Sequence, residues 1–378
     1  MKTGWEVKTL GDVLKLEYGK PLSDDKRNPN GKYPVYGANG EKDKTDEYYY
    51  DKLSIIVGRK GSAGEINFTE ERFWPLDVSY FVTFDNKKYD LNFIYYLLSK
   101  LNLPSLAKGV KPGINRNEVY SINVKTPSLQ EQKRIVAILD EAFESITKAK
   151  ENAEKNLKNT KEIFESYLQS VFENKGDGWE EKKLGETCIV ERGSSPRPIK
   201  KYITSKVDGV NWIKIGDTKE VEKYIYTTEQ KITPEGALNS RFVDVGDLIL
   251  SNSMSFGKPY IMKTQGYIHD GWFVLRLPKN IDTNFFWYLL ASPYSMSQFI
   301  HLSSGAIVKN ISGDLVKKTI LPIPPLKDQK LIVQKLDAIS SETKKLEAIY
   351  TQKLADLEEL KKSILAKAFN GELTEASA

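Results

Sequence analysis

The sequence has very little cysteine and histidine, which limits the sites that it can build. Its 378 residues include one cysteine, Cys188, and two histidines, His269 and His301. These three side chains cannot form a structural zinc site of the Cys/His type, and carboxylates are the only other metal ligands to consider. We therefore expect no metal site in this chain. A lone cysteine forms no intramolecular disulfide, which indicates a reducing, cytoplasmic environment.

Long apolar runs are also absent. No segment approaches the roughly 18 consecutive apolar residues needed to cross a bilayer. Charged and polar residues follow Met1, where a signal peptide would carry an apolar run. The sequence therefore predicts a soluble protein that has no membrane partner.

Motifs typical of catalysis are missing as well. There is no G-x-x-x-x-G-K-[ST] loop for nucleoside triphosphates and no N/D-P-P-Y/F tetrapeptide of adenine methyltransferases. Two tripeptides, Glu131-Gln132-Lys133 and Asp328-Gln329-Lys330, resemble the end of a nuclease triad. Both fall in the first turn of a predicted helix, where acidic residues interact favourably with the helix dipole. We therefore expect no catalytic residue in this chain.

The chain does have enough length and apolar content to fold, together with a small positive charge. Hydrophobic residues make up 40% of it, the formal net charge is +5 and the pI is near 8.8. A chain of this length exceeds what a single core usually serves, so we expect two domains. The mild positive charge is compatible with a polyanionic partner but does not identify one.

The most informative feature is an internal repeat. Trp5 recurs as Trp179, 174 positions later, and the segment NFIYYLLS recurs as NFFWYLLA, 192 positions later. The segment PSLQEQKRIVAILD from Pro127 recurs as PPLKDQKLIVQKLD from Pro324, and this offset of 197 then stays constant. Each half thus has a variable front and a rear of fixed length. The predicted boundaries are 1–126 and 176–323 for the front domains, and 127–175 and 324–378 for the rear segments.

The rear segments predict long helices, each of about 40 residues and about 60 Å. Apolar residues recur in steps of four and three, which is the heptad pattern of a coiled coil. Gly176 and Gly371 are expected to end the helices. The predicted seam consists of Ile135, Leu139, Ala142, Ile146, Ala149 and Ala153, and of Ile332, Leu336, Ile339, Thr343, Leu346, Tyr350, Leu354, Leu357, Leu360 and Ile364.

The front domains predict mixed α and β structure in the same order twice. KLSIIVGRKGSAGEINF and VGDLILSNSMSFGKPYIM each indicate a strand, a glycine-containing turn and a strand. VSYFVTF and WFVLRL indicate a further strand, and FIYYLLSKL and NFFWYLL a short helix. The predicted fold class is α+β, with two similar domains separated by two long helices. Because the second helix must return towards the first domain, we expect an antiparallel coiled coil and internal pseudo-twofold symmetry.

Two similar domains at a fixed separation suit duplex DNA, whose half-sites are spaced along a helical repeat. Basic and small polar side chains on predicted loops are the groups that bind phosphates and base edges, although they also suit solvated loops. The candidates in the first domain are Lys20, Arg59, Lys60, Ser62, Lys108, Lys111 and Asn115. Those in the second are Arg192, Ser194, Arg197, Lys200, Lys201, Asn252, Ser253, Lys258, Lys309 and Asn310.

The repeat order, the twice-used motif P-x-L-x-x-Q-K-x-I-V-x-x-L-D and the chain end SILAKAFNGELTE closely resemble the specificity subunits of type I restriction-modification enzymes. This resemblance covers essentially the whole chain. It implies that the front domains are target-recognition domains, each binding one half of a bipartite, asymmetric site in double-stranded DNA. It also implies that the helices set the gap and dock two methyltransferase subunits, which translocase-nuclease subunits join for restriction.

The same resemblance implies that this chain binds no cofactor itself. S-adenosylmethionine, ATP and Mg²⁺ are expected on the partner subunits. Two alternatives stay open from the residues alone: a free-standing nuclease, motivated by the two acid-x-Lys tripeptides, and a coiled-coil scaffold that never contacts DNA.

Overall fold

The computed structural model describes residues 4–252, 257–303 and 312–373, and it divides into two compact units. Unit 1 contains Met1–Glu154 and Thr351–Ala378, and unit 2 contains Lys155–Tyr350. Each unit therefore combines a front domain with parts of both rear helices, while the finer division into four segments stays a prediction. No helix within the described ranges is long and apolar enough to span a membrane.

The elements of unit 1 are β1 Glu6–Thr9, α1 Leu10–Val13, β2 Leu14–Tyr18, β3 Tyr33–Gly37, β4 Gly40–Thr45, β5 Ser54–Gly58, β6 Ile66–Thr69, β7 Trp74–Pro75, β8 Ser79–Phe84, α2 Leu91–Lys100, α3 Arg116–Tyr120, β9 Asn123–Thr126 and the first part of α4 Leu129–Glu173. The main sheet is four-stranded and antiparallel, in the order β2-β8-β5-β6. Beside it lie a three-stranded sheet, β4-β3-β7, and the pair β1-β9.

The core of unit 1 lies between its main sheet and its helices. Strand β5 is buried along its whole length and rich in β-branched residues, as expected for a central strand. Val57 from this strand, Phe93 from α2 and Leu139 from α4 are all fully buried in one cluster. Phe369, near the C-terminus, packs on Phe93 with 5.2 Å between ring centroids, so the end of the chain completes the first core.

The elements of unit 2 are β10 Glu180–Lys183, α5 Leu184–Thr187, β11 Ile189–Arg192, β12 Ile203–Thr204, β13 Val210–Ile213, β14 Tyr224–Ile225, β15 Gln230–Ile232, α6 Pro234–Ala237, β16 Arg241–Val243, β17 Leu248–Ser251, β18 Pro259–Met262, β19 Gly266–Ile268, β20 Trp272–Arg276, α7 Thr283–Ala291, α8 Pro293–Ser303, α9 Gly313–Lys317, β21 Ile320–Ile323 and part of α10 Leu326–Asn370. The main sheet corresponds to that of unit 1 with one added strand, in the order β11-β20-β17-β18-β14. A second five-stranded sheet, β12-β15-β13-β19-β16, and the pair β10-β21 complete the unit.

The predicted strands and short helices of both front domains are confirmed in kind and order. The main difference between the units is the second sheet, which has three strands in unit 1 and five in unit 2. The extra residues of the second front domain lie largely in the segment that contains β12 to β16. They add β14 to the edge of the main sheet and leave its other four strands and their turn equivalent to those of unit 1.

The long helices α4 and α10 each contain 45 residues. Within unit 1, Lys361 lies over the ring of Phe143, and Lys150 forms an ion pair of 2.6 Å with Glu358. Higher numbers on one helix thus meet lower numbers on the other, so the two helices run antiparallel there. In unit 2, Leu168 and Phe172 of α4 share a core with Leu336 of α10.

The predicted seam is confirmed along α4, whose six seam residues are all buried or half-buried. It is wrong at two positions of α10, because Leu346 and Leu360 are 42% and 46% exposed. Near Leu346 the inward stripe takes a step of four from Thr343 to the half-buried Glu347, which leaves Leu346 on the outer side of the helix. The stripe rejoins the predicted positions at Tyr350, and Leu360 is a second, separate exception.

The glycines expected to end the helices behave differently. Gly371 directly follows α10 and has the left-handed φ of +85° that favours glycine at this position. Helix α4 already ends at Glu173, so Gly176 is not its terminating residue.

A buried glutamine joins each front domain to the start of its long helix. The Gln132 side chain is fully buried; its Oε1 accepts from the Asp90 backbone N–H at 2.9 Å. Its Nε2 donates to the carbonyls of Lys88 and Pro127 at 3.0 and 2.9 Å. Asp90 is the N-cap of α2 and accepts from the Phe93 N–H, so one glutamine fixes α2 to α4.

Unit 2 repeats this contact with Gln329, which is 1% exposed. Its Oε1 accepts from the N–H of Asp282, the N-cap of α7, at 2.7 Å, and its Nε2 donates to the carbonyls of Asn280 and Pro324. We call each of these two arrangements the glutamine clamp. The middle residue of each acid-x-Lys tripeptide is therefore a buried structural group.

A second pair of contacts, about two turns further along each long helix, reinforces the clamp. The hydroxyl of Tyr96 donates to Asp140 in unit 1, and that of Tyr288 donates to Asp337 in unit 2 at 2.6 Å. Burial and the acceptor carboxylate both raise the pKa of these tyrosines. The motif Q-K-x-I-V-x-x-L-D thus supplies both groups that attach a front domain to its helix.

Replacing Gln132 with leucine should destabilise the protein, because the Asp90 N–H and two carbonyls lose a buried partner. At about 1 to 3 kcal/mol for an unsatisfied buried group, we expect the free energy of unfolding in urea to fall by about 2 kcal/mol or more. Gln130→Leu is the matched control, since Gln130 is exposed two residues away on the same helix. Equal effects of the two substitutions would contradict the clamp.

Candidate nucleic-acid interface

The glycine-containing turn after strand β5 is fixed by backbone hydrogen bonds in unit 1. Gly58 N–H donates to the Glu65 carbonyl and Gly64 N–H to the Gly58 carbonyl, both at 2.8 Å. Arg59 N–H donates to the carbonyl of Val78 at 2.9 Å, which ties the turn to the start of β8. Gly64 has a φ of +88°, a conformation that a side chain would disfavour.

The same bonds recur in unit 2, each 193 positions later. Ser251 N–H donates to the Lys258 carbonyl at 3.0 Å, and Gly257 N–H donates to the Ser251 carbonyl at 2.9 Å. Asn252 N–H donates to the carbonyl of Gly271 at 2.9 Å. The two turns are therefore equivalent in structure, although Gly64 and Gly257 are the one glycine that they share in sequence.

A second segment lies on the other side of β8 and β20. Gly19 N–H donates to the Ser79 carbonyl at 3.1 Å, and Gly193 N–H to the Trp272 carbonyl at 2.8 Å. A Cβ on either glycine would come within 2.1 Å of a backbone oxygen, so only glycine allows this approach. Lys20 follows directly and is exposed, and Ser194 does the same in unit 2. Each unit thus presents two loops around the start of one strand.

Arg59 is fixed on this surface in unit 1. Its Nε donates to the Asp77 carbonyl at 2.9 Å, and its guanidinium lies 5.4 Å from the ring centre of Tyr18. Arg116 lies on the same ring at 5.0 Å. Two guanidinium groups therefore flank one tyrosine beside the turn. The sequence indicated Arg59 but neither Tyr18 nor Arg116, which are distant from it along the chain.

The loop before α3 joins the same surface. Gly61 N–H donates to the Pro112 carbonyl at 2.8 Å, and Ile114 N–H to the Arg59 carbonyl at 3.1 Å. Lys60 and Lys111 are exposed on these two hydrogen-bonded segments. The structure therefore brings together candidates that lie some fifty residues apart in the sequence.

The other candidates of unit 1 differ in their surroundings. Lys108 is exposed and forms an ion pair of 2.8 Å with Glu118. The Asn115 side chain accepts from the Asn117 N–H at 2.9 Å and caps α3, so its oxygen has a structural use. Ser62 is half-buried within the turn. That any of these seven side chains contacts DNA stays a prediction.

Asp270 is the centre of the corresponding surface in unit 2. Its backbone carbonyl accepts from Arg192 Nε at 3.2 Å and from Asn252 Nδ2 at 2.9 Å. Its carboxylate accepts from the Ser195 hydroxyl at 2.6 Å and lies 3.5 Å from Arg197. The Ser195 hydrogen bond is the main reason that the pKa of Asp270 lies below its ordinary value. Sequence reasoning missed Asp270 because an acidic residue is not expected in a DNA-binding surface.

Next to Asp270 a cleft of about 930 Å³ opens in unit 2. Its walls include Ile199, Trp212 and Ile215, and Arg197, Lys200 and Lys214 supply positive charge. Lys201 is exposed on the segment that leads into this cleft, and Lys258 is exposed at the end of the turn. Lys214 was not among the predicted residues, because it lies on a separate segment of the chain.

Four candidates of unit 2 are either buried or outside the described residues. Asn252 is only 4% exposed, so in this structure it is a positioning residue of the turn rather than a surface group. Its burial follows from the bond between its amide and the Asp270 carbonyl. Ser253, Lys309 and Asn310 lie outside the described residues.

No group of three or more His, Cys, Asp or Glu side chains within the described ranges could hold a metal ion. Glu131 and Asp328 lie in the first turns of α4 and α10, as predicted. Cys188 is buried, which raises the pKa of its thiol to about 12.

His269 lies in the wall of the cleft, close to Trp212. Its ring nitrogens Nε2 and Nδ1 face the backbone N–H groups of Ile215 and Gly271 at 3.2 and 2.8 Å. Burial lowers the pKa of His269 from its ordinary 6.5, although the Asp270 carboxylate acts in the opposite direction. A neutral ring accepts from one of these N–H groups, whereas a protonated ring would direct a hydrogen at both, so the neutral ring fits this site better.

The titration of His269 should therefore reduce stability in acid. Below pH 6.5 the unfolded chain binds a proton that the folded His269 does not, so the free energy of unfolding should fall as the pH decreases. NMR of the His269 ring protons, assigned by their absence in His269→Gln, should show a midpoint below 6.5. A midpoint for His269 at or above 6.5 would show that burial does not control it.

Both units therefore present a fixed turn with exposed cations beside one strand of an equivalent sheet. Such a duplicated basic surface, attached to helices of equal length, defines a class of protein with two related recognition surfaces for a polyanion. The comparisons with known proteins identify the family within this class.

The chain belongs to the type I restriction modification DNA specificity family, whose domain model matches residues 2–157 and 176–358. It is 27% identical to the type I restriction enzyme MjaVIII specificity subunit of Methanocaldococcus jannaschii, over 98% of this chain and 93% of that protein. It is 21% identical to the EcoDI specificity subunit of Escherichia coli, over 98% and 89%. The chain is a DNA specificity subunit of a type I restriction-modification system.

Solved structures have the same fold. One of them is a chain from a study of complex assembly and conformational transition in a type I restriction-modification system. It superimposes with a TM-score of 0.79 at 19% identity, and the match covers 98% of this chain and 99% of that one. The HsdS subunit from Thermoanaerobacter tengcongensis gives 0.64 at 20% identity, covering 98% of each chain. The predicted α+β class with two domains and long helices is thereby confirmed.

Proposed function

We propose that each unit of this specificity subunit binds one half of a bipartite, asymmetric site in duplex DNA. The observation that carries this proposal is the equivalent turn in both units, with the same backbone hydrogen bonds and different side chains. A shared backbone with different side chains suits two surfaces that bind the same polymer at different sequences. Exposed lysines around each turn supply contacts to phosphates.

The long helices would set the gap between the half-sites and dock two methyltransferase subunits. Their equal length and the clamps at both starts support a constant spacing. Helix α10 also exposes Leu346, Ile349 and Leu360, whose spacing places them on one side of the helix. Exposed apolar side chains on a helix suit contact with a partner protein.

The chain itself would catalyse no reaction. Its partners would be the methyltransferase subunits, which bind S-adenosylmethionine, and translocase-nuclease subunits, which use ATP and Mg²⁺. The glutamine clamp supports this division, since it gives the acid-x-Lys tripeptides a structural explanation. The cytoplasm is the compartment that contains the DNA substrate.

Methyl transfer should therefore require the partner subunits. The isolated chain, mixed with target DNA and radiolabelled S-adenosylmethionine, should transfer no methyl group, and adding the methyltransferase subunits should produce labelled DNA. The methyltransferase subunits alone are the matched control and should show no sequence preference. Robust methylation by the chain alone would contradict the proposal.

Lengthening both helices should widen the gap in the DNA target. Four residues inserted after Glu154 in α4 and after Tyr350 in α10, where the units meet in sequence, add about 6 Å of helix. This length is close to two base-pair steps of about 3.4 Å. We expect the same half-sites with a wider gap, measured by sequencing methylated DNA. An unchanged gap would show that the helices do not set it.

A further inference from the structure

The two units place an arginine guanidinium at the same position by different routes. In unit 1 the donor is Arg59, on the turn after β5, whose Nε bonds to the Asp77 carbonyl at 2.9 Å. In unit 2 the donor is Arg192, at the end of β11, whose Nε bonds to the Asp270 carbonyl at 3.2 Å. Both carbonyls belong to the turn that precedes the equivalent strands β8 and β20.

The sheet registers show that these two arginines are not repeats of each other. Tyr18 pairs with Tyr80 in unit 1, and Arg192 pairs with Phe273 in unit 2, so Arg192 occupies the place of Tyr18. The place of Arg59 is taken by Asn252, whose N–H makes the equivalent backbone bond. The two arginines therefore occupy different positions in the repeat, whereas the carbonyls that they bond to, those of Asp77 and Asp270, are equivalent.

Anchoring through Nε fixes the plane of a guanidinium and leaves its Nη1 and Nη2 atoms for another partner. Within the described ranges neither arginine has a hydrogen bond or ion pair through these two atoms. Arg59 is further supported by the ring of Tyr18. Two parallel donors in a fixed plane match the O6 and N7 acceptors of guanine in the major groove.

A phosphate contact would not need this arrangement. A flexible lysine neutralises a phosphate without a fixed plane, and each unit already has an exposed lysine on its turn. Lys60 and Lys111 lie near Arg59, and Lys258 lies at the end of the equivalent turn in unit 2. The retention of a planar, anchored group among these lysines favours base recognition.

We infer that Arg59 and Arg192 each recognise the guanine of one G·C pair, Arg59 in the half-site bound by unit 1 and Arg192 in that bound by unit 2. This inference rests on the proposed function, since it assigns a base to each half of the DNA target. It also predicts that each half-site contains at least one specified G·C pair.

The test uses the full chain together with its methyltransferase subunits, with methylation measured on a library of DNA targets. Arg59→Lys keeps the charge but loses the planar pair of donors. At one position of one half-site, we expect it to lower the preference for a G·C pair over the other base pairs by about tenfold to a hundredfold. Arg192→Lys should do the same in the other half-site only.

An exchange of positions provides the sharpest control. Arg59→Asn should lose the guanine preference, and Arg59→Asn combined with Tyr18→Arg, which copies the arrangement of unit 2, should restore it. Restoration supports the shared position of the two guanidinium groups. Failure to restore a lost preference contradicts it.

Other outcomes overturn the inference in recognisable ways. If both lysine variants keep the wild-type target, the arginines contact phosphates. The same holds if alanine variants weaken binding to all sequences equally and reduce the slope of log K against log[salt] by about one. A wild-type complex that methylates no bipartite target would instead contradict the proposed function, and this inference with it.

Discussion

The fold depends on a single kind of contact, the buried glutamine that fixes each front domain to the start of a long helix. The Gln132 side chain accepts from the N-cap residue of α2 and the Gln329 side chain from that of α7, and each also donates to two carbonyls. A buried amide that lacked these partners would be costly, so the geometry of the contact is closely constrained. The orientation of each recognition surface relative to its helix follows from this contact.

The two units show which parts of such a protein are constrained and which are free to change. Four strands of the main sheet, the turn and the clamp are equivalent in both units, whereas unit 2 has one further strand in its main sheet and two more in its second sheet. The side chains on the turn differ as well, with Arg59 in one unit and the buried Asn252 in the other. Constant backbone and variable side chains are what recognition of different DNA sequences requires.

Much of this fold was predictable from the sequence, because repeated motifs and heptad periodicity are local signals. The strands, the turn and the α4 seam follow directly from such patterns. The shift of the α10 stripe at Leu346 was not predictable, since it depends on which partner residues the helix meets. The burial of Asn252 and the role of Asp270 depend on contacts between residues many positions apart, which periodicity does not report. That Arg59 and Arg192 are anchored to equivalent carbonyls could be recognised only from the strand registers and hydrogen bonds of the structure.

The central claim is that the two units recognise two separate stretches of one DNA target. Its most direct test is to sequence methylated adenines in cells that carry this chain with its methyltransferase subunits. The account predicts one motif with two specified blocks of different sequence, separated by a fixed number of unspecified base pairs. A motif with a single uninterrupted block, or two blocks at variable separation, would contradict it.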